Sequence, residues 1–158
     1  MFTNIVWATD GSAHADRALE YALRIADHEH ARLQVVHIVE RFAAGRTAGQ
    51  NTNLNEEEID NKIRAQARRA SADHGVKCFL HMTAGNASNV AGRIAEIAAE
   101  TDADLIVVGT RGRSALGGLV LGSVTQRLLH IAGRPVLAVP PAKQPEALPE
   151  SEILVATL

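Results

Sequence analysis

Leu105-Ile106-Val107-Val108-Gly109-Thr110-Arg111-Gly112, then nine residues, then Gly122-Ser123-Val124, is the stretch that decides how this chain folds. Four apolar, largely β-branched residues are too few for a helix and are stopped by glycine, the signature of a buried strand. Beyond the glycine-rich connection, Val124, Leu128 and Ile131 recur at helical spacing. The segment therefore reads as strand, loop, helix. Gly109 and Gly112 let backbone N–H groups approach an anion without a Cβ in the way. Gly122-Ser123 opens the helix, where free N–H groups and the helix dipole favour phosphate. Ser123 and Thr125 offer hydroxyl donors, and Arg111 and Arg113 are nearby cations.

Working outward, the same alternation recurs. Asn4 to Thr9 is a short apolar run ending at Asp10-Gly11-Ser12, with Ser12 a natural N-cap for a helix through Ala15, Ala18, Leu19, Ala22 and Ile25. Arg32 to Val39 reads as a second strand and Arg41 to Asn53 as a surface loop. Asn55 is expected to cap a helix carrying Ile59, Ile63 and Ala67 on one face, with Glu56-Glu57-Glu58 against the positive dipole end and Gly75 behind it. Val76, Cys78 and Leu80 suggest a third strand, Gly85-Asn86 a turn, and Val90, Ile94, Ile97 and Ala98 a helix. Val136 to Val139 is the fifth strand. Repeated strand–helix alternation implies a doubly wound α/β fold, a five-stranded parallel sheet with helices on both faces. Right-handed crossovers favour the order 3-2-1-4-5. In such sheets ligands bind outside the carboxyl ends, where the order reverses, here between strands 1 and 4.

The spacing G-x2-G-x9-G-[ST] between strand and helix resembles the nucleotide motif of the universal stress protein family, in its ATP-binding branch. Ala8-Thr9-Asp10-Gly11-Ser12, Val36-His37-Ile38-Val39, Ala103-Asp104-Leu105 and Arg134-Pro135-Val136-Leu137-Ala138-Val139 strengthen the likeness, which runs from about Phe2 to Pro140. The resemblance implies a nucleotide-dependent stress-response module with at most slow ATP hydrolysis. It places Asp10 at the ribose and adenine region, the Ile38 backbone at the adenine edge, and Ala8 and Val108 against its faces. Gly109, Arg111 and Gly112 would cover the ribose and α-phosphate, with Gly122, Ser123 and Val124 on the outer phosphates. Mg²⁺ would arrive with the nucleotide. The family also implies a homodimer through the last strand, consistent with the apolar, flat edge of residues 136–139.

Composition narrows the alternatives. In 158 residues, apolar types make up 46%, aromatics 3% and charged types 22%, with a net charge of -2. That balance suits one core built from Ala, Val, Leu and Ile, and carries no electrostatic footprint for nucleic acid or an anionic membrane. The one cysteine, Cys78, cannot form an internal disulfide, and no basic region followed by an apolar run opens the chain, so a cytoplasmic location is expected. Cys78 and His37 read as core residues, and the remaining histidines form no metal-ligand set. All five prolines lie between Pro135 and Pro149. The domain is therefore expected over residues 1–140, followed by a Pro-rich tail over 141–158. Ile153-Leu154-Val155-Ala156-Thr157 echoes Ile5-Val6-Trp7-Ala8-Thr9, so the tail reads either as an extra strand or as the start of a second domain. An adenylate-chemistry enzyme, such as an ATP pyrophosphatase or ligase, is the alternative function. It calls for a Ser-Gly-Gly-x-Asp-Ser loop after strand 1, whereas this chain has Asp10-Gly11-Ser12-Ala13-His14.

Overall fold

A computed structural model describes residues 1–41, 52–112 and 121–142. Its strands are β1 (Asn4–Ala8), β2 (Arg32–Arg41), β3 (Cys78–Asn86), β4 (Leu105–Gly109) and β5 (Val136–Val139). Its helices are α1 (Ala13–Glu29), α2 (Thr52–His74), α3 (Val90–Glu100) and α4 (Ser123–Ile131). They form one five-stranded sheet in the order β3-β2-β1-β4-β5, with every neighbouring pair parallel. The expected doubly wound arrangement is the observed one.

Side-chain alternation along β1 and β4 splits the core in two. Ile5, Trp7, Leu33, Val35 and Val107 face α1 and α2, where Ala18, Leu19, Ala22, Ile63 and Ala67 cover them. Val6, Ala8, Val36, Ile106 and Val108 face α3 and α4, beneath Ala91, Ile94, Ile97 and Leu128. Both faces of β1 and β4 are buried, which is why these strands are continuous apolar runs. Burial of Trp7, Ile5, Leu33 and Leu128 contributes about 2 kcal/mol each. The Trp7 indole N–H donates to the Ala15 carbonyl at 3.0 Å, so this buried polar atom is paired.

Several boundaries differ from those expected. Helix α2 begins at Thr52 rather than after Asn55, because no glycine or proline between them stops the helix propagating backwards. Strand β3 runs to Asn86, past Gly85, which was expected in a turn. A Cβ at Gly85 would lie 2.6 Å from Ile38 Cγ2, so this glycine serves strand packing. Cys78 is only half-buried, because β3 is an edge strand that leaves one flank uncovered. His37 is buried as expected, with Nδ1 2.8 Å from the Thr9 carbonyl oxygen.

The amino end of the sheet is closed by side chains. Asp104 accepts from the Thr3 N–H (2.8 Å), the Thr3 hydroxyl (3.0 Å) and the Asn4 N–H (3.4 Å). Gln34 donates to Asn4 Oδ1 at 2.9 Å, and its Oε1 lies 2.7 Å from His81 Nε2. Asn4 in turn donates to the Thr101 carbonyl. This ladder ties β1, β2 and β3 together at one level of the sheet. No described helix is long and apolar enough to cross a membrane. The tail expected over 141–158 lies, beyond Ala142, outside the described residues.

Candidate functional site

At the carboxyl ends of β1 and β4 the strand order reverses, and a cavity of about 270 Å³ opens there. The ten residues that the resemblance assigns to a nucleotide line it. Ala8 and Asp10 come from β1 and the turn after it, and Ile38 from β2. Val108, Gly109, Arg111 and Gly112 come from β4 and the loop beyond, and Gly122, Ser123 and Val124 from the start of α4. Arg113 lies outside the described residues.

Each wall has a local cause. The Asp10 turn is held by Asp10 Oδ1, which accepts from the Ser12 N–H at 3.0 Å, while Ser12 caps α1 by accepting from the Ala15 N–H. Across the cavity, a Cβ at Gly109 would lie 2.9 Å from the His14 carbonyl oxygen. A Cβ at Gly112 would lie 2.8 Å from Asp10 Oδ2. Any side chain at either position would therefore intrude between the two turns. Small residues keep them close.

Helix α4 supplies the polar end. Its N-cap, Gly122, makes no side-chain capping bond. The Gly122 N–H donates to the Thr110 carbonyl at 2.7 Å, which ties the residue after β4 to the helix start. The next N–H groups, of Ser123, Val124 and Thr125, have no intrahelical acceptor, and these three residues line the cavity. The dipole adds a partial positive charge at the same place. One expectation fails here. The Thr125 hydroxyl donates to the Gly109 carbonyl at 2.7 Å and is buried, so it fastens β4 to α4 and is not free for a phosphate.

The opposite end is apolar. Ala8, Ile38 and Val108 form the predicted walls, and Val36, Val90 and Ile94, which the sequence reading did not assign, complete them. Val36 precedes Ile38 by two positions and so shares its sheet face. Val90 and Ile94 are one helical turn apart on α3. Their periodicity was readable, but only the docking of α3 over the sheet turns that stripe towards the cavity. Among the described residues no group of three or more His, Cys, Asp or Glu side chains could hold a metal ion.

An open parallel sheet, a cavity at its reversal point and an uncapped helix start at that cavity define a doubly wound α/β protein with an anion-receptive switch point. The chain belongs to the universal stress protein family, whose family model matches residues 1–140. It is 36% identical over 141 residues to a universal stress protein of Thermus aquaticus, spanning 88% of this chain and 99% of that one. A solved protein of the family from Burkholderia pseudomallei is 31% identical, with a TM-score of 0.64, over 88% of this chain and 96% of its own. A universal stress protein solved in complex with cAMP is 25% identical, with a TM-score of 0.65, over 89% of this chain and 98% of that one.

Proposed function

We propose that this chain binds an adenine nucleotide, with ATP as the preferred ligand, and acts as a nucleotide-dependent regulatory module in a stress response. The observation that carries this is the polarity of the cavity: an apolar slot at one end and the unpaired N–H groups of Ser123, Val124 and Thr125 at the other. The slot between Ala8, Ile38 and Val108 suits a purine, with the Ile38 backbone at its edge. Asp10 stands where a ribose would lie. Gly109, Arg111 and Gly112 would pass over the sugar and first phosphate, and Gly122, Ser123 and Val124 would receive the outer phosphates. The related protein solved with cAMP supports an adenine ligand in this fold.

The residues present suit a magnesium ion carried in by the phosphates better than a resident metal, because among the described residues the cavity wall offers N–H groups, hydroxyls and a single carboxylate, that of Asp10. Bound that way, Mg²⁺ would neutralise charge on the phosphate oxygens. Hydrolysis needs a group that orients water at the γ-phosphate. Among the described residues, Asp10 is the carboxylate lining the cavity, and its proposed place is at the ribose rather than at the γ-phosphate. Any turnover is therefore slow, and the protein works by occupancy. The apolar edge of β5 is the proposed surface for a homodimer, and the cytoplasm the proposed compartment.

Mass spectrometry of small molecules released from natively purified protein tests the reading. Near-stoichiometric ATP or ADP is the expected result. Calorimetry with MgATP, ADP and cAMP then ranks the ligands, and silence with all three overturns the proposal. Rapid pyrophosphate release with a co-substrate would instead indicate adenylate chemistry.

A further inference from the structure

The Asp10 turn is gripped from behind by a helix that contributes no wall to the cavity. Lys62 of α2 donates to the Gly11 carbonyl and to Asp16 Oδ2, both at 2.7 Å. Gln66, one turn further along α2, donates to the other Asp16 oxygen at 2.8 Å. Ile59, one turn earlier, closes over Gly11: a Cβ at Gly11 would lie 2.7 Å from Ile59 Cγ2. Gly11 has φ of +78°, the left-handed region that favours glycine, so the turn depends on this residue type as well as on the grip of α2. The Gly11 N–H donates to the Thr9 hydroxyl at 3.1 Å, and the Thr9 carbonyl faces His37 Nδ1 at 2.8 Å.

We infer that Lys62 is a positioning residue for the ligand site: its ammonium locks the Gly11 peptide and the first turn of α1 together, and so sets where the Asp10 carboxylate points. One cation binds both the turn and the helix that follows it, through Gly11 and Asp16. The Asp10 side chain is anchored inside this frame by the Ser12 N–H. Rotation of the Gly11 peptide would carry Ser12 with it and swing the carboxylate relative to Gly112. A charge-assisted contact to a turn carbonyl is the kind that holds such a peptide in one orientation. Helix α2 is thereby coupled to the cavity, and displacement of α2 would loosen the ligand site without touching it.

This inference rests on the nucleotide reading for its functional half, and the test separates the two. Lys62 is about 40% exposed, so Lys62→Met leaves the core intact. In ligand-free protein, hydrogen exchange at the Gly11 and Ser12 amides should accelerate about tenfold in Lys62→Met and return to wild-type rates in Lys62→Arg. Calorimetry should show MgATP binding weakened about fivefold in Lys62→Met and restored in Lys62→Arg. The preference for ATP over its 2′-deoxy and 3′-deoxy analogues should shrink in Lys62→Met as it does in Asp10→Asn, a readout that general destabilisation does not move. Unchanged exchange in Lys62→Met overturns the clamp. Faster exchange with unchanged affinity and unchanged sugar preference overturns its role in positioning. Wild-type protein that binds no nucleotide overturns the functional reading, while the exchange rates still decide whether Lys62 holds the turn.

Discussion

The two ends of β1 are built on opposite principles. At the amino end, Asn4 is 2% exposed, and its backbone and side chain are committed to Asp104, Gln34 and Thr101. At the carboxyl end, beyond Ala8, the chain turns through Asp10 and Gly11 beside a cavity lined partly by backbone. Parallel winding creates the asymmetry. Strands β1 to β4 each lead towards a helix at the carboxyl end, so helix N-termini with unpaired N–H groups gather there. The amino end receives helix C-termini and is free to be sealed. One end serves the register of the sheet, and the other leaves donors for a ligand.

Mutations can separate these roles. The largest expected effect is at the open end, in Gly109→Val. The added Cβ would meet backbone of His14, so α1 must shift. Overpacking of this kind costs about 3 kcal/mol. Nucleotide binding should fall below detection by calorimetry, and chemical denaturation should report the instability. Next is Gln34→Leu at the sealed end, which leaves buried Asn4 Oδ1 without its donor. A loss of about 2 kcal/mol in unfolding free energy is expected. Nucleotide affinity should stay within about twofold of wild type, since the ladder makes no wall of the cavity. A large loss of affinity there would erase the division between the ends.

Smaller still is Gly112→Ala. Among the described residues its Cβ would meet the end of the Asp10 side chain and no backbone, so the unfolding midpoint should hardly change. Affinity for MgATP should drop about tenfold as Asp10 is displaced, equivalent to about 1.4 kcal/mol at 25 °C. The smallest effect belongs to Cys78, at the amino end of the edge strand β3. Burial pushes its thiol above the ordinary range, against a weaker opposite pull from a hydrogen bond with Ser71. A raised folded value means that the stability tied to the protonated thiol is fully present below the ordinary thiol range. It is lost as pH climbs through the elevated value. The difference in urea midpoint between wild type and Cys78→Ser should therefore shrink above pH 9, and thiol-reagent labelling at neutral pH should be slow.

Legibility from sequence followed the range of the interactions involved. Gly109, Gly112, Gly122 and Ser123 stood out because loop chemistry is written locally, in residue type and spacing. The apolar runs of β1 and β4 announced strands buried on both faces, and right-handed crossovers left few strand orders, of which the favoured one, 3-2-1-4-5, is the one observed. Element ends were less readable. Gly85 looked like turn punctuation and is instead a close contact between β3 and Ile38, set by a neighbour far away in sequence.

Sequence alone therefore determined the strand–helix alternation and marked the residues that gather at the reversal of the sheet, because periodicity and glycine placement act over a few positions. Tertiary structure alone decided that Val36, Val90 and Ile94 finish the apolar slot, and that the Thr125 hydroxyl is spent on Gly109. It also decided that Lys62, on a helix with no wall in the cavity, holds Gly11. Those outcomes depend on where rigid elements dock. A lysine on an exposed helix face reads as a solvated charge until the turn it grips is brought beside it.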